Sequence, residues 1–190
     1  MGRSTAGCYG GPRCKVPEME MAVRRAHLED GAAIAAIYNQ GIQDRLATFE
    51  TDLRTPDDIA ALLAERLPAH PAVVVESSGR IAAFAWTAPY SPRPCYAGIG
   101  EFSVYVDRAL RGMGAGRLAL TELISECERL GFWKLTSKVL TDNHASRVLC
   151  ASIGFREVGI HLRHAQLDGA WKDVVIVERL LGERYGHPGR

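Results

Sequence analysis

Glu101 to Arg117 reads E-F-S-V-Y-V-D-R-A-L-R-G-M-G-A-G-R, and the architecture of the whole chain turns on it. Glu101 to Val106 alternates as a β-strand, the glycine-rich Arg111 to Gly116 breaks it, and Leu120, Leu123, Ile124 and Cys127 then recur at helical spacing up to a stop at Gly131. The order is strand, glycine turn, helix. At such a helix start the first amides have no intrahelical acceptor and the macrodipole is positive, so the turn forms a cradle for an anion. Glycine lets the backbone approach a phosphate closely, and Arg111 and Arg117 can add charge, so a pyrophosphate suits the place. An isolated Gly-x-Gly is also simply a tight turn, and both readings stand on spacing alone. A nucleotide-hydrolysing P-loop would require Lys-Ser or Lys-Thr after the last glycine, and none follows. A dinucleotide-binding unit would place its glycines near the first strand, whereas these come mid-chain.

Working outward, Met19 to Arg25 alternates like a strand, and Asp30 is placed to cap a helix through Ile34, Ile37, Tyr38 and Gly41 or Ile42, ending near Gln40. Thr55-Pro56-Asp57-Asp58 announces a second helix that stops at Pro68. Ala72 to Glu76 and Arg80 to Ala88 read as a hairpin across Ser77-Ser78-Gly79, and Pro89, Pro92 and Pro94 mark an exposed loop. Beyond the central segment come a strand at Lys134 to Leu140, a helix capped by Asn143 and closed by Gly154, and two strands near Arg156 to Arg163 and Trp171 to Arg179 joined at Asp168-Gly169. The sum is an α/β fold with a mixed, largely antiparallel central sheet flanked by helices.

The chain has 190 residues with 23 basic against 22 acidic, and 47% are hydrophobic, as expected of one globular unit. A chain of this length buries roughly 70% of its unfolded surface and needs neither disulfide nor structural metal. Ile59 to Ala64 and Ile81 to Trp86, the longest apolar runs, fall far short of the ~20 residues of a membrane span. Interleaved charges leave no basic face for nucleic acid or anionic lipid. Five cysteines, at 8, 14, 95, 127 and 150, include no Cys-x-x-Cys and no Cys/His pair at zinc spacing, so a reducing cytoplasm and no metal are expected. His161 and His164 alternate without a third ligand, in keeping with solvent or core roles. Residues 1 to 18, rich in glycine and lacking a periodic apolar pattern, are expected to be a disordered extension: a functional arm, a leftover of cloning, or an initiator set too early. Residues 19–182 form the expected domain and 183–190 a flexible tail.

With Val104-Tyr105-Val106, R-G-M-G-A-G, Asn143-His144-Ala145-Ser146 and Ile153-Gly154-Phe155 in view, the chain resembles the GNAT acetyltransferase superfamily over most of Met21 to Arg179. The resemblance implies acetyl-CoA as the anion's owner, gripped by Arg111, Gly112, Met113, Gly114, Ala115, Gly116 and Arg117, with Val104, Tyr105 and Val106 orienting the thioester. Tyr38-Asn39-Gln40, Ala47-Thr48-Phe49, Pro92-Arg93-Pro94-Cys95-Tyr96, Glu101 and Gly169-Ala170-Trp171-Lys172-Asp173-Val174 resemble the phosphinothricin N-acetyltransferase branch, and Tyr38 to Thr51 resembles the arsinothricin N-acetyltransferases. That branch implies acetylation of the α-amino group of a glutamate analogue, which confers resistance, and a homodimer with the acceptor near the subunit contact.

An α-ammonium must lose a proton before it can attack a thioester. Glu101 matches the branch's glutamate and is the candidate base, acting directly or through a water; a partly buried carboxylate would hold a raised pKa, and the alternative is a solvated strand end. Amides near Val104 to Val106 suit the developing oxyanion. Many relatives place a tyrosine acid on the fourth helix where this sequence has Cys150, either a donor or a small core residue. Asn143 can cap its helix, contact the cofactor, or do both, and Ser146 is a cofactor contact or an exposed helix residue. For the acceptor's anions the candidates are Arg93 and then Arg45, with Phe49 and Tyr96 as pocket walls. Methionine sulfoximine or methionine sulfone are alternative acceptors, and a sensor that binds acetyl-CoA without turnover is the alternative of another class.

Overall fold

The computed structural model describes residues 20–182; the expected N-terminal extension and C-terminal tail lie outside the described residues. In chain order the elements are β1 (Met21–Arg25), α1 (Gly31–Asp44), α2 (Pro56–Arg66), β2 (Ala72–Ser77), β3 (Arg80–Pro89), β4 (Ile99–Val106), α3 (Ala115–Arg129), β5 (Lys134–Leu140), α4 (His144–Ser152), β6 (Arg156–Leu167) and β7 (Ala170–Leu180). The strands form one sheet in the order β1-β2-β3-β4-β5-β7-β6, antiparallel at every junction except β4 with β5.

Period-two alternation in β2 and β3 sends side chains to two separate cores. Val73, Val75, Ala83 and Ala85 face α3, where Leu120 and Leu123 are fully buried, and Val74, Phe84 and Trp86 face Ile34, Ile37 and Tyr38 of α1 and Ile59 and Leu63 of α2. The sheet is thus covered on both faces.

Local chemistry explains most boundaries, and three depart from expectation. Helix α1 continues to Asp44, one turn past Gln40, because Ile42 buries in the α1 core and Gly41 allows Tyr105 to lie where a Cβ would stand 2.8 Å from its ring. Arg45, at φ 57°, ends it. Asp30 stands at the N-cap position but gives no bond to the helix amides; its carboxylate instead takes both terminal nitrogens of Arg24 and the amide of His27. Strand β6 runs to Leu167 rather than Arg163, because an irregularity between His161 and Ala165, with Arg163 at φ 49°, lets pairing with β7 resume. Ser78-Gly79 and Asp168-Gly169 have positive φ at both positions, the mirror-image turn that matches strand twist. Thr55 and Asp58 form the reciprocal cap that opens α2.

Candidate active site

The one parallel junction makes the site. Strands β4 and β5 pair only from Ile99 with Lys134 to Glu101 with Thr136, then separate. From Phe102 onward the β5-facing edge of β4 has no strand partner, so alternate backbone groups open into the gap. A cleft of about 690 Å³ occupies it, bounded by Glu101 to Tyr105 on one side and Ser137 to Leu140 on the other. Asn143 and Ser146 from α4, Phe49 and Glu50 from the loop after α1, and Arg66 at the end of α2 complete the walls.

Residues 107–114 connect β4 to α3. Asp107 caps the short turn Arg108–Leu110 by accepting from the Ala109 amide at 2.9 Å. Gly112 and Gly114 adopt φ of 79° and 93°, with no atom within 4 Å of where either Cβ would stand. The first backbone bond of α3 is Leu118 N–H to the Gly114 carbonyl at 3.0 Å. Among the described residues no protein acceptor takes the amides of residues 112–117. Gly116 permits this placement: a Cβ there would stand 3.1 Å from Val106 and 3.3 Å from Leu149, so the helix start lies tight against both β4 and α4. The backbone therefore suits a diphosphate, with amides that lack a protein acceptor and open space at Gly112 and Gly114.

The arginine side chains of the loop are engaged elsewhere. Arg111 pairs with Asp44 at 2.7 Å, as does Arg108, and Arg117 donates to the Ser152 carbonyl at 3.3 Å. Burial pushes the Asp44 carboxyl up, but the two guanidinium partners outweigh it and hold it below its ordinary value. Met113 stands exposed over the turn. The fixed elements of the cradle are thus its amides.

Glu101 sits where the strands part, its side chain about one-third exposed and paired with Lys138 Nζ at 2.5 Å. It is thus partly buried, as expected of the candidate base, and its immediate neighbour is a cation. Beyond it, Ser103 and Tyr105 share its face of β4. The Tyr105 side chain is buried between Tyr38, edge-on at 4.8 Å, and Phe84, stacked at 5.1 Å, and its hydroxyl donates to the Ala47 carbonyl at 3.4 Å. Burial raises this phenol well above its ordinary value, so it stays a neutral donor. Val104 and Val106 pack on the α3 core.

Asn143 accepts from the Ser146 amide at 3.0 Å and donates to the Leu46 carbonyl at 2.9 Å, so it caps α4 and also fastens the loop after α1. Ser146 lines the cleft. Cys150 does not: it is 1% exposed in the α3 core, and burial pushes its thiol up to about 11. Cys150→Ala is therefore expected to leave kcat and its pH profile within twofold of the parent, while costing about 1 kcal/mol of stability through the lost sulfur contact; stopped-flow rates across pH 6 to 9 check it.

Of the acceptor-site candidates, the cleft gathers Phe49, whose ring lies 6.3 Å from that of His164. Arg93 and Tyr96 line a different groove of about 550 Å³, with Tyr90, His70 and Trp133, because the proline-stiffened loop folds away from Glu101 toward the start of β5. Arg45, held by the end of α1, pairs with Asp168 at 3.0 Å. Sequence reading passed over Lys138, Glu50, Arg54, Arg66 and Trp86 as site residues and took His164 for a solvent or core residue, yet all line the cleft. Only Trp86 carried a local signal, an aromatic on the inward period of β3.

A split between parallel strands beside a helix start with acceptor-free amides is an arrangement suited to a transferase with an anionic donor. Residues 35–155 match the Acetyltransferase (GNAT) family, and the chain belongs to it: the protein is a GNAT N-acetyltransferase. Within the family it is 33% identical to the phosphinothricin N-acetyltransferase of Alcaligenes faecalis over 84% of this chain and 82% of that protein. It is 29% identical to the L-methionine sulfoximine/L-methionine sulfone acetyltransferase of Salmonella typhimurium, over 86% and 96%. The crystal structure of a phosphinothricin acetyltransferase from Sinorhizobium meliloti in complex with acetyl-CoA superposes with a TM-score of 0.82 at 25% identity, covering 90% of this chain and 93% of that one. Acetyl-CoA is the donor that GNAT acetyltransferases bind.

Proposed function

We propose that the enzyme acetylates the α-amino group of a glutamate-like amino acid bearing a tetrahedral oxyanion, arsinothricin or phosphinothricin, and thereby confers resistance to it. The observation that carries this reading is the position of Glu101 at the parting of β4 and β5, in one cleft with the free β4 edge. In this mechanism the amides of residues 112–117 hold the donor's diphosphate, with Asn143 and Ser146 beside it. Glu101 takes a proton from the acceptor's ammonium, directly or through a water, and the freed lone pair attacks the thioester carbonyl. Backbone N–H groups of Phe102 to Val106 that face the gap donate to the carbonyl oxygen as it gains charge. The C–N bond forms, the nitrogen gives its second proton to solvent, the C–S bond breaks, and the thiolate is protonated from solvent, since Cys150 lies in the core. Phe49 walls the acceptor pocket. Arg93, Tyr96 and Arg45 take no part in the cleft of their own chain.

The product has lost its ammonium charge, so a target that pairs with that charge no longer holds it. Methionine sulfoximine and methionine sulfone remain the second reading, favoured by the Salmonella relative. The enzyme acts in this reading as a homodimer, and the exposed apolar residues Val158, Ile160 and Leu162 of β6 suit contact with a second copy. No helix among the described residues is long and apolar enough to cross a membrane, and the free thiols of Cys95, Cys127 and Cys150 suit a reducing cytoplasm. Thiol release measured side by side on arsinothricin, phosphinothricin and methionine sulfoximine is expected to favour one of the first two by about tenfold in kcat/KM, the worth of one charge-assisted contact. Equal, poor turnover of all three would remove the detoxification reading, and no turnover with acetyl-CoA bound would leave a sensor.

A further inference from the structure

Three cations line the cleft, and two of them are matched: Arg54 pairs with Glu50 at 2.7 Å and Lys138 with Glu101 at 2.5 Å. The third, Arg66, has no anionic partner within ion-pair distance among the described residues. It is half-buried at the end of α2, and its guanidinium carbon lies 5.1 Å from the centre of the Trp86 ring. Trp86 is itself only 4% exposed, so this ring is a fixed platform. A cation held over an aromatic ring spends no N–H on an acceptor, so the guanidinium keeps its donors for a fork of two bonds to an oxyanion. Glu50 and Glu65 act on Arg66 only at longer range, and Asp58 is engaged in the cap of α2.

The sheet register fixes where the Trp86 platform stands relative to the base. Ala88 pairs with Glu101 and Trp86 with Ser103, and all four residues line the cleft. Two residues along a strand amount to about 7 Å, so the Trp86 backbone, whose ring carries Arg66, is displaced from the Glu101 pair by roughly that distance along the sheet. In a glutamate analogue the α-nitrogen and the oxygens of the side-chain oxyanion are five bonds apart, roughly 6 Å when extended, whereas the α-carboxylate oxygens are about 3 Å from the nitrogen. The longer span matches the offset.

We propose that Arg66, stacked on Trp86, is the specificity-determining residue that binds the acceptor's side-chain oxyanion and selects acidic over neutral acceptors. This rests on the amino-acid acetyltransferase reading above. The test titrates phosphinothricin and methionine sulfone, which share an α-carboxylate but differ in side-chain charge, into the coenzyme A-saturated full chain by calorimetry. Arg66→Met is expected to weaken phosphinothricin binding about 20-fold, as loss of a charged fork does, and methionine sulfone less than threefold. Arg66→Lys keeps the charge without the fork and should recover part of the loss, with coenzyme A affinity unchanged in both variants. Equal losses for the two acceptors would assign Arg66 to the α-carboxylate or to scaffolding and overturn the inference, as would no loss for either. Phosphinothricin that binds through Arg66 but is not acetylated would defeat the functional reading alone; a parent protein that binds no acidic acceptor would defeat both.

Discussion

Glu101→Gln is expected to release thiol from acetyl-CoA, with phosphinothricin as acceptor, about 10² to 10⁴ times more slowly than the parent, the span general-base catalysis ordinarily covers. The substitution is close to isosteric, and the amide oxygen can still accept from Lys138, so the strand end and the cleft wall should persist. What it loses is the capacity to take a proton from the ammonium. In the proposed mechanism the donor is gripped by the amides of residues 112–117, on another element, so KM for acetyl-CoA should stay within twofold. Steady-state assays with each substrate varied in turn separate these effects. A variant that retains a third or more of the parent's kcat would show that the proton leaves by another route.

Replacing both Gly112 and Gly114 by valine is expected to weaken coenzyme A binding about 100-fold. Both positions lie at positive φ, where a residue with a Cβ costs roughly 1–2 kcal/mol and a β-branched one more. Neither new side chain would meet a protein atom within 4 Å, so the core is untouched and the strain at the two positions should lower the melting temperature by roughly 5–15 °C without unfolding the chain. The side chains would instead fill the space through which a diphosphate must approach, and relaxation of the strained turn would swing the amides off their line. Loss of two charge-assisted bonds at about 1.5 kcal/mol each gives the stated factor. Calorimetric titration with coenzyme A reads it directly. Unaltered affinity in a folded double variant would mean that the turn is only a turn.

The cradle is legible in the sequence because its causes are local. Glycines at 112, 114 and 116, an alternating strand before them and a helical apolar spacing after them specify backbone conformation within one short segment. The same holds for the Thr55 and Asn143 caps and for the Ser78-Gly79 and Asp168-Gly169 turns. Where expectation and structure part, a distant partner intervenes. Asp30 forgoes its helix because Arg24 is within reach, and α1 gains a turn because Tyr105 needs the flat face of Gly41. Arg111 and Arg117 carry the right charge beside the right glycines, yet Asp44 and the Ser152 carbonyl hold their side chains.

The acceptor side shows the limit most clearly. Arg93 sits in a proline-stiffened loop that the motifs mark as an acceptor element, and in its own chain it lines a groove with Tyr90, Tyr96 and Trp133 rather than the cleft of Glu101. Arg66 carries no motif: at the end of an amphipathic helix it reads as an ordinary dipole-complementing cation. Its nearness to Trp86 exists only once α2 lies on β3, a separate element further along the chain.

From its residues alone, then, this protein is committed to a layered α/β fold, a glycine turn opening a helix and a strand that carries Glu101 before it, since torsional preference, capping and apolar period act over a few neighbours. Tertiary structure alone settles how far β4 and β5 stay paired, that Lys138 faces Glu101, and which of the cations lining the cleft is left without a counterion among the described residues. Those depend on register and on contacts between segments remote in sequence, and a side chain's charge acquires a role only when folding determines what stands opposite it.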